Sequence, residues 1–414
     1  MDSGPAGAPE ASGARSSAAP LIAGVALKNF KSIAACDVEL AALTFLVGPN
    51  GSGKSNFVDA LRLTNEALRT TLDHALQERG GIQEVRRRST GHPTHFGVRL
   101  RIRLPDGSDG SYRYEIGARA GGGYVVRVEE CSVGSARYLV RDGVVAVMTE
   151  GVSPPAYDDR LYLVTASGLP AFRVAYEALS RMGFYNINPD QIRALQKGDP
   201  GEVLSRDGRN IASILERLAK DVNGDAGVKR RIEEYLARVV GGIEGVDCRR
   251  IDAWETIEFR QRVGKQKDPW QFRAINMSDG TLRALGNLVA LFQGGRSRRV
   301  PLVAIEEPEV ALHPAAAGVL LDALREASAR TQVLVTSHSP ELLDSDQIDD
   351  RQILAVASAD GRTEIGRIDE AGRAALRRQL YTAGELLRHD QLRPEPGQAE
   401  AADRAQRSLF DEDP

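Results

Sequence analysis

The chain has 414 residues, of which 42% are hydrophobic, and a formal net charge of −3. This length gives enough chain for one large domain or for two to three small ones. The slightly negative charge excludes a global basic field of the kind that attracts nucleic acid, so any contact with DNA would need a local basic patch.

The cysteines and the apolar segments bear on the compartment. Cys36, Cys131 and Cys248 lie far apart and show neither a disulfide framework nor metal-ligand spacing, which is typical of a reducing compartment. No stretch approaches the roughly 20 apolar residues that span a bilayer, and residues 1–20 lack the pattern of a signal peptide. We therefore expect a cytoplasmic protein with no membrane partner.

The first half of the chain is rich in predicted strands. Residues 1–20 are Gly, Ala, Pro and Ser with few apolar anchors, and we predict a disordered tail there. Residues 21–47 read as strands, and a helical pattern follows Ser55. Residues 96–150 alternate apolar and polar positions between Gly and Asp turns, which predicts an antiparallel meander.

In the second half of the chain, predicted helices and predicted strands follow each other. Residues 168–245 have helical periodicity, and residues 251–275 return to a strand pattern with charged alternation. From Ser278 the order is helix, strand, helix, strand. Residues 391–414 are charged and contain proline, and we predict a disordered tail there.

The strongest motif occupies residues 48–55 and matches G-x-x-x-x-G-K-[ST] in full, after a predicted strand and before a predicted helix. Its glycines let successive N–H groups point at phosphate oxygens, and the helix N-terminus adds partial positive charge. Lys54 would reach the β- and γ-phosphates of ATP, and the Ser55 hydroxyl would bind Mg²⁺. The predicted nucleotide-binding residues here are Gly48, Pro49, Asn50, Gly51, Ser52, Gly53, Lys54, Ser55 and Asn56.

Two carboxylates, Glu306 and Glu307, end a short apolar strand that begins at Leu302. Ligands of open α/β sheets bind at this end of the strands. Adjacent strand residues point in opposite directions, so the pair can take separate tasks. Glu306 would hold Mg²⁺, and Glu307 would orient or deprotonate the attacking water. The alternative is an ordinary acidic turn after a buried strand.

Two further motifs end in polar clusters. His338 follows another buried-type strand and would sense the γ-phosphate, although a lone histidine is more often a structural residue. Ser278 and Gly280 lie directly before an apolar helix. Ser278 or Asp279 can simply cap that helix, but a capped helix N-terminus is also a phosphate site, so both interpretations hold together.

In chain order, these motifs resemble the Walker A, signature, Walker B and switch-histidine motifs of the ABC-type ATPases of the SMC/RecF class. Residues 27–32 resemble that class's first strand. Residues 380–387 resemble a segment of stand-alone bacterial RecF-like ATPases of the AAA family, which share the pattern E-E-P-E-x-x-L-H-P and the run T-S-H-S-P. The resemblance spans about 21–390 and implies an α/β P-loop NTPase head with an antiparallel β meander and an inserted helical lobe.

The resemblance also implies an assembly. The nucleotide-binding lobe would comprise 21–61 and 276–390, with an inserted lobe over about 62–275. Two heads would enclose two ATP molecules as an ATP-dependent homodimer. Ser278 and Gly280 of one subunit would contact the γ-phosphate bound by the other, and residues 311–314 resemble the D-loop that crosses the interface. Hydrolysis through Glu307 would reopen the dimer.

The sequence departs from the family in three places. The signature lacks the L-S-G-G-Q spelling of transporters, and the Walker B pair is Glu-Glu rather than Asp-Glu. The glutamine expected between the first two motifs is not clearly identified, and Gln83 is only a weak candidate. The compact segment between Ser55 and Ser278 sets aside the long coiled coils of SMC proteins, and no acidic nuclease cluster follows His338.

Two biological roles remain open. The first is an ATP-dependent factor of DNA repair or DNA maintenance, whose candidate phosphate contacts are Arg86, Arg87, Arg88, Arg99, Arg101 and Arg103. These arginines equally suit a solvated strand face and a charged loop. The second is a regulatory ATPase that gates a separately encoded effector, as in antiphage or toxin-type systems. Gln406, Leu409 and Phe410 also match a short peptide that docks on the bacterial sliding clamp, for which chance is the alternative.

Overall fold

The computed structural model describes residues 21–89, 93–104, 107–220, 226–264, 268–294 and 300–410, and side chains 406–410 are left out of the description. The predicted N-terminal tail, 1–20, lies outside these residues. The strands are β1 (Ile22–Phe30), β2 (Ile33–Glu39), β3 (Leu43–Val47), β4 (His95–Arg103), β5 (Asp109–Ala118), β6 (Tyr124–Val133), β7 (Ala136–Arg141), β8 (Val144–Met148), β9 (Gly183–Tyr185), β10 (Gln196–Lys197), β11 (Ile243–Ile251), β12 (Trp254–Gln261), β13 (Trp270–Arg273), β14 (Leu302–Glu306), β15 (Gln332–Ser337), β16 (Ile353–Ala359) and β17 (Arg362–Arg367).

More of the helices lie in the second half of the chain than in the first. They are α1 (Lys54–Arg69), α2 (Leu72–Gln77), α3 (Ile82–Val85), α4 (Tyr162–Ala166), α5 (Pro170–Ser180), α6 (Pro189–Arg193), α7 (Ile211–Ala219), α8 (Ala226–Val239), α9 (Asp279–Phe292), α10 (Ala317–Ser328), α11 (Pro340–Leu343), α12 (Glu370–Arg377), α13 (Ala383–Arg388) and α14 (Gln398–Phe410). Within the described ranges, none of them has both the length and the apolar character that crossing a membrane requires.

A large sheet organises the molecule, in the order β8-β7-β6-β5-β4-β1-β2-β17-β16-β3-β15-β14-β9. Its central strands β16, β3, β15, β14 and β9 pair in parallel. The strands from β4 to β8 pair in antiparallel fashion, which confirms the predicted meander. The mixed α/β architecture confirms the predicted fold class.

The core has two layers because alternate residues of the central strands face opposite sides of the sheet. On β3, Leu46 belongs to the cluster that includes α1, α5 and the meander. Its neighbours Phe45 and Val47 belong to the cluster that includes α7 to α10. Helices therefore cover both faces of the parallel strands, as buried parallel sheets require.

The meander and β9 join the central sheet directly. β4 pairs with β1, and β9 pairs with β14. Residues 62–275 therefore share the large sheet with the nucleotide-binding strands, and the predicted division into a nucleotide-binding lobe and an inserted lobe stays a prediction. A smaller sheet does lie apart from the large one: β12 pairs with β11, β10 and β13.

The C-terminal segment differs from the disordered tail that the sequence predicts for residues 391–414. Residues 391–410 are ordered against the sheet: Glu395 N–H donates to Arg367 O at 2.9 Å, and α14 packs on β2 and β17. Arg367 N–H donates to Gln398 Oε1 at 3.0 Å, so backbone groups at the end of β17 hold this charged segment in place. The composition gave no sign of these long-range contacts. The predicted clamp-docking peptide lies in α14, whose backbone includes Gln406, Leu409 and Phe410. Residues 411–414 lie outside the described residues.

Candidate active site

Three parallel strands end at one edge of the sheet and carry the predicted site. β15 lies between β3 and β14, and the register pairs Val47 with Ser337 and Thr336 with Glu306. Gly48 N–H donates to Ser337 O at 3.4 Å, and Glu307 N–H donates to Thr336 O at 3.0 Å. The glycine-rich loop, the acidic pair and the histidine are therefore adjacent, although about 290 residues separate the first from the last in sequence.

The loop of residues 48–53 connects β3 to α1 and ends in a glycine that no other residue can replace without strain. Gly53 has a φ of 106°, and a Cβ there would lie 2.1 Å from Thr363 Oγ1. A Cβ on Gly48 would lie 2.0 Å from Val356 O. Both glycines thus allow the loop to pack closely against β16 and β17.

Lys54 closes this loop from within. Its Nζ donates to Gly48 O at 2.8 Å and to Pro49 O at 3.0 Å, and the residue is 5% exposed. Burial lowers the pKa of Lys54, while the charges of Glu307 and Glu309 act in the opposite direction. The ammonium group is therefore held by the loop carbonyls and is stabilised by the charges of the acidic strand end.

The remaining loop residues fit a phosphate. Ser52 Oγ is buried, and no hydrogen-bond partner reaches it from the described chain. Such buried hydroxyls are rare, and a phosphate oxygen would satisfy this one. Pro49, Asn50 and Ser55 are exposed, and Ser55 stands in the first turn of α1, where a helix N-terminus attracts anions.

Glu307 has an unusual backbone. Its φ is 47°, a left-handed conformation that a residue with a Cβ rarely adopts. Its N–H is also 3.2 Å from Thr336 Oγ1, and its Oε1 lies 3.1 Å from His338 Nδ1. The side chains of Glu307 and His338 are each about one-third exposed. Local strain of this kind favours a functional role, and the carboxylate lies beside His338.

Glu306 has a partner that the sequence did not predict. Arg206, from the loop before α7, donates to Glu306 Oε1 at 2.9 Å. A backbone hydrogen bond fixes this loop: the carbonyl oxygen of Arg206 accepts from the N–H of Asn186, just after β9, at 2.9 Å. In this arrangement the guanidinium competes with a cation for one of the two carboxylate oxygens of Glu306.

Glu309 is a second residue whose importance the sequence did not show. It accepts a hydrogen bond from Ser337 Oγ at 2.6 Å, and its Oε2 is buried without a partner among the described residues. Burial raises the pKa of Glu309, and the Ser337 hydrogen bond opposes this shift. The motif E-E-P-E marks this position, but only the fold shows that it contacts the strand that carries His338.

The turn that carries Ser278 and Gly280 is fixed by contacts within its own chain. Ser278 caps α9, because its Oγ accepts from Thr281 N–H at 3.3 Å. A Cβ on Gly280 would lie 2.3 Å from Ala311 O, so this turn packs on the 311–314 segment of the same chain. Arg193 fixes it further by donating to Met277 O at 3.1 Å. Ser278 itself is exposed.

The weak candidate Gln83 lies in α3, and its Oε1 accepts from Arg86 Nε at 2.7 Å. Most of the arginines considered for DNA already have partners. Arg101 pairs with Asp37 at 2.7 Å, Arg103 with Asp109 at 3.2 Å, and Arg88 with Glu84. Arg101 and Arg103 thus form ion pairs on β4, a strand in the interior of the sheet.

Comparison with known proteins agrees with this geometry. Residues 21–87 match a family described as "AAA ATPase domain". Residues 164–344 match a family described as "AAA domain, putative AbiEii toxin, Type IV TA system". The two matched segments contain the glycine-rich loop and the acidic strand end with His338.

The individual proteins that this chain resembles are Smc proteins. The chain is 25% identical over 248 residues to the chromosome partition protein Smc of Synechococcus sp.; the match covers 58% of this chain and only 18% of that protein. Among solved structures, it is similar to an Smc head bound to the C-terminal winged-helix domain of ScpA, with a TM-score of 0.55 and 16% identity over 84% of this chain and 97% of that one.

A second solved structure is an Smc head with an extended coiled coil, bound to the C-terminal domain of ScpA derived from Pyrococcus furiosus. Its TM-score is 0.52 at 14% identity, over 87% of this chain and 99% of that one. At these identities the two structures show the fold alone. The fold and the two ATPase-domain matches bear out the resemblance to SMC/ABC-type P-loop ATPases, and the closer likeness to RecF-like proteins stays a prediction.

Proposed function

We propose that this SMC/ABC-type P-loop ATPase hydrolyses ATP with Mg²⁺ at the edge where β3, β15 and β14 end. The observation that carries the proposal is the parallel register of these strands, which pairs Val47 with Ser337 and Glu306 with Thr336, so that the three strands end within one residue of each other. A phosphate chain lying on the glycine-rich loop would then face both carboxylates.

The position of each residue suggests a separate role in binding phosphate or Mg²⁺. Lys54 exchanges the carbonyls of Gly48 and Pro49 for phosphate oxygens. Ser55 and Glu306 are the oxygen donors that would hold Mg²⁺, which neutralises charge on the phosphates when bound. Arg206 would compete with the cation for one of the two carboxylate oxygens of Glu306.

Glu307 is the proposed base. It orients the water that attacks the γ-phosphorus and accepts the proton, while the bond to ADP breaks. Its backbone is left-handed, and its carboxylate contacts His338 Nδ1 at 3.1 Å. This contact supports a role for His338 on the same water or on the γ-phosphate.

We further propose that ATP brings two copies together. Ser278 is exposed, and its turn is fixed by Arg193 and Ala311 of its own chain. A helix N-terminus held in this way can donate to a phosphate bound by a second subunit. Closure of the dimer and γ-phosphate binding would then be a single event.

The test is Glu307→Gln, which keeps the shape and removes the base. We expect its ATP turnover to fall about 100-fold or more, since general-base catalysis contributes this much. Light scattering with ATP should show a persistent dimer, whereas wild type should return to monomer as ATP is consumed. Glu150→Gln, an exposed position in the loop after β8, is the matched control and should behave as wild type. Hydrolysis by Glu307→Gln at the wild-type rate would refute the assignment.

The biological role has two candidates. The relationship to a chromosome partition protein favours DNA repair or DNA maintenance. The ion pairs of Arg88, Arg101 and Arg103, and the family whose description names a toxin, favour the gating of a separately encoded effector. Salt-dependent DNA binding by the purified protein with ATP would support the first role, and its absence the second.

A further inference from the structure

Thr363 connects the glycine-rich loop to a distant part of the chain. It lies near the start of β17, is 3% exposed, and donates from Oγ1 to Ser52 O at 2.9 Å. No sequence motif includes Thr363, and 311 residues separate it from Ser52.

The direction of the hydrogen bonds around Thr363 follows from its chemistry. A hydroxyl has one proton, and a carbonyl only accepts, so the Thr363 proton goes to Ser52 O. Ser32 Oγ, 2.7 Å from Thr363 Oγ1, must then donate to it. Asn56 Nδ2 donates in turn to Ser32 Oγ at 2.6 Å. The four groups form a one-way chain from Asn56 through Ser32 and Thr363 to Ser52.

The backbone fixes this chain in place. Thr363 N–H donates to Ser32 O at 3.0 Å, and Thr363 pairs with Ile33 where β17 meets β2. Gly53 leaves room for the hydroxyl, since a Cβ there would lie 2.1 Å from Thr363 Oγ1. Both the strand pairing and the glycine therefore hold Thr363 against the loop.

The contact acts on the peptide between Ser52 and Gly53. In a planar trans peptide the C=O and the following N–H point in opposite directions. A hydrogen bond that draws the Ser52 carbonyl towards β17 therefore turns the Gly53 N–H away from β17. Gly53 is the cap of α1, so this N–H is one of the unpaired donors at the helix N-terminus.

We propose that Thr363 is a positioning residue for phosphate binding: it sets the Ser52–Gly53 peptide so that the Gly53 N–H is aimed at the nucleotide. The inference rests on the proposed ATP binding by residues 48–55. Thr363 does not touch the nucleotide in this role, and it acts through the orientation of a donor that does.

The test compares two substitutions that separate the hydroxyl group from the branched shape of the side chain. Thr363→Val removes the hydroxyl and keeps the branched shape, whereas Thr363→Ser keeps the hydroxyl. We expect Thr363→Val to raise the Kd for both ATP and ADP about three- to tenfold, in line with the net worth of one hydrogen bond. Thr363→Ser should stay within about twofold of wild type. Titration calorimetry gives the affinities, and thermal unfolding is recorded for every variant.

Controls separate positioning from stability. Thr256→Val, a buried threonine on the smaller sheet, should leave nucleotide affinity unchanged. Ser32→Ala breaks the same chain one step earlier and should raise the Kd in the same direction, even if Thr363→Val does not fold. Lys54→Ala gives the reference for a loop that no longer binds.

The outcomes are distinct. Wild-type affinity in Thr363→Val overturns the inference, as does a lowered unfolding temperature with unchanged affinity, because either result makes Thr363 purely structural. Wild type that binds no nucleotide overturns the proposed function as well. Weaker binding in Thr363→Val, with rescue by Thr363→Ser, supports the positioning role.

Discussion

The two halves of the large sheet use strand direction differently. In the parallel half, β3, β15 and β14 all end at one edge, so the residues that follow them meet. In the antiparallel half, β4 to β8 alternate in direction, so residues that follow successive strands go to opposite ends. The comparison shows why the parallel half holds the polar site and the other half mainly contributes core.

The meander still contains a fully buried carboxyl group, and this group serves packing. Glu129 on β6 is fully buried and accepts from Tyr112 OH at 3.0 Å, Tyr138 OH at 2.8 Å and Leu163 N–H at 2.8 Å, and also from Tyr162 N–H. It thereby ties the meander to α4. The next helix, α5, packs on α1, where Asn65 donates to Leu179 O at 2.9 Å.

The largest expected effect concerns the pH dependence of this anchor. Burial raises the pKa of Glu129 to about 7, although its hydrogen bonds oppose the shift. Between the unfolded value, 4.5, and about 7, the folded state binds the extra proton, so stability should decrease as pH rises and then level off. The change should not exceed about 3 kcal/mol.

Glu129→Gln should remove that slope in urea unfolding curves measured from pH 4.5 to 8. Glu130→Gln, on the same strand but half-buried and paired with Arg113 and Arg137, is the matched control and should retain the slope. An unchanged slope in Glu129→Gln would show that another group titrates. Nucleotide affinity at pH 8 should be retained, because Glu129 lies in the antiparallel half.

A smaller effect is expected at the parallel edge from Arg206→Ala. Arg206 competes with a cation for Glu306, so its loss should lower the Mg²⁺ concentration for half-maximal ATPase activity by up to about fivefold, the worth of a partly exposed pair. Arg209→Ala, whose partner is Asp207, is the control. A higher Mg²⁺ requirement would instead show that Arg206 helps to bind the nucleotide.

The smallest effect is expected on β4. Arg101 and Arg103 are already paired with Asp37 and Asp109, so the double change to Ala should alter DNA affinity by less than about twofold at 0.15 M salt. Filter binding across a salt series measures this. A reduced salt slope in the double variant would assign both residues to phosphate contacts and would favour the DNA role.

Sequence patterns predicted the elements that have strong local signals. The meander alternates over 96–150, and the strand–loop–helix around residues 48–55 has an unmistakable spelling, so both were predictable. β9 was missed because its three residues lie within a long helical stretch. The order over 391–410 was missed because it depends on backbone contacts to β17 rather than on composition.

The candidate site shows the same contrast between local sequence signals and long-range contacts. Local sequence determined which chemical groups are available: the glycines and Lys54, the Glu306–Glu307 pair, and His338, each placed at the end of an apolar strand. Only the tertiary structure decided which groups meet, because hydrogen bonds such as Arg206 to Glu306 and Thr363 to Ser52 join residues 100 and 311 positions apart. Side-chain pairing across strands depends on sheet order and register, which no local pattern records.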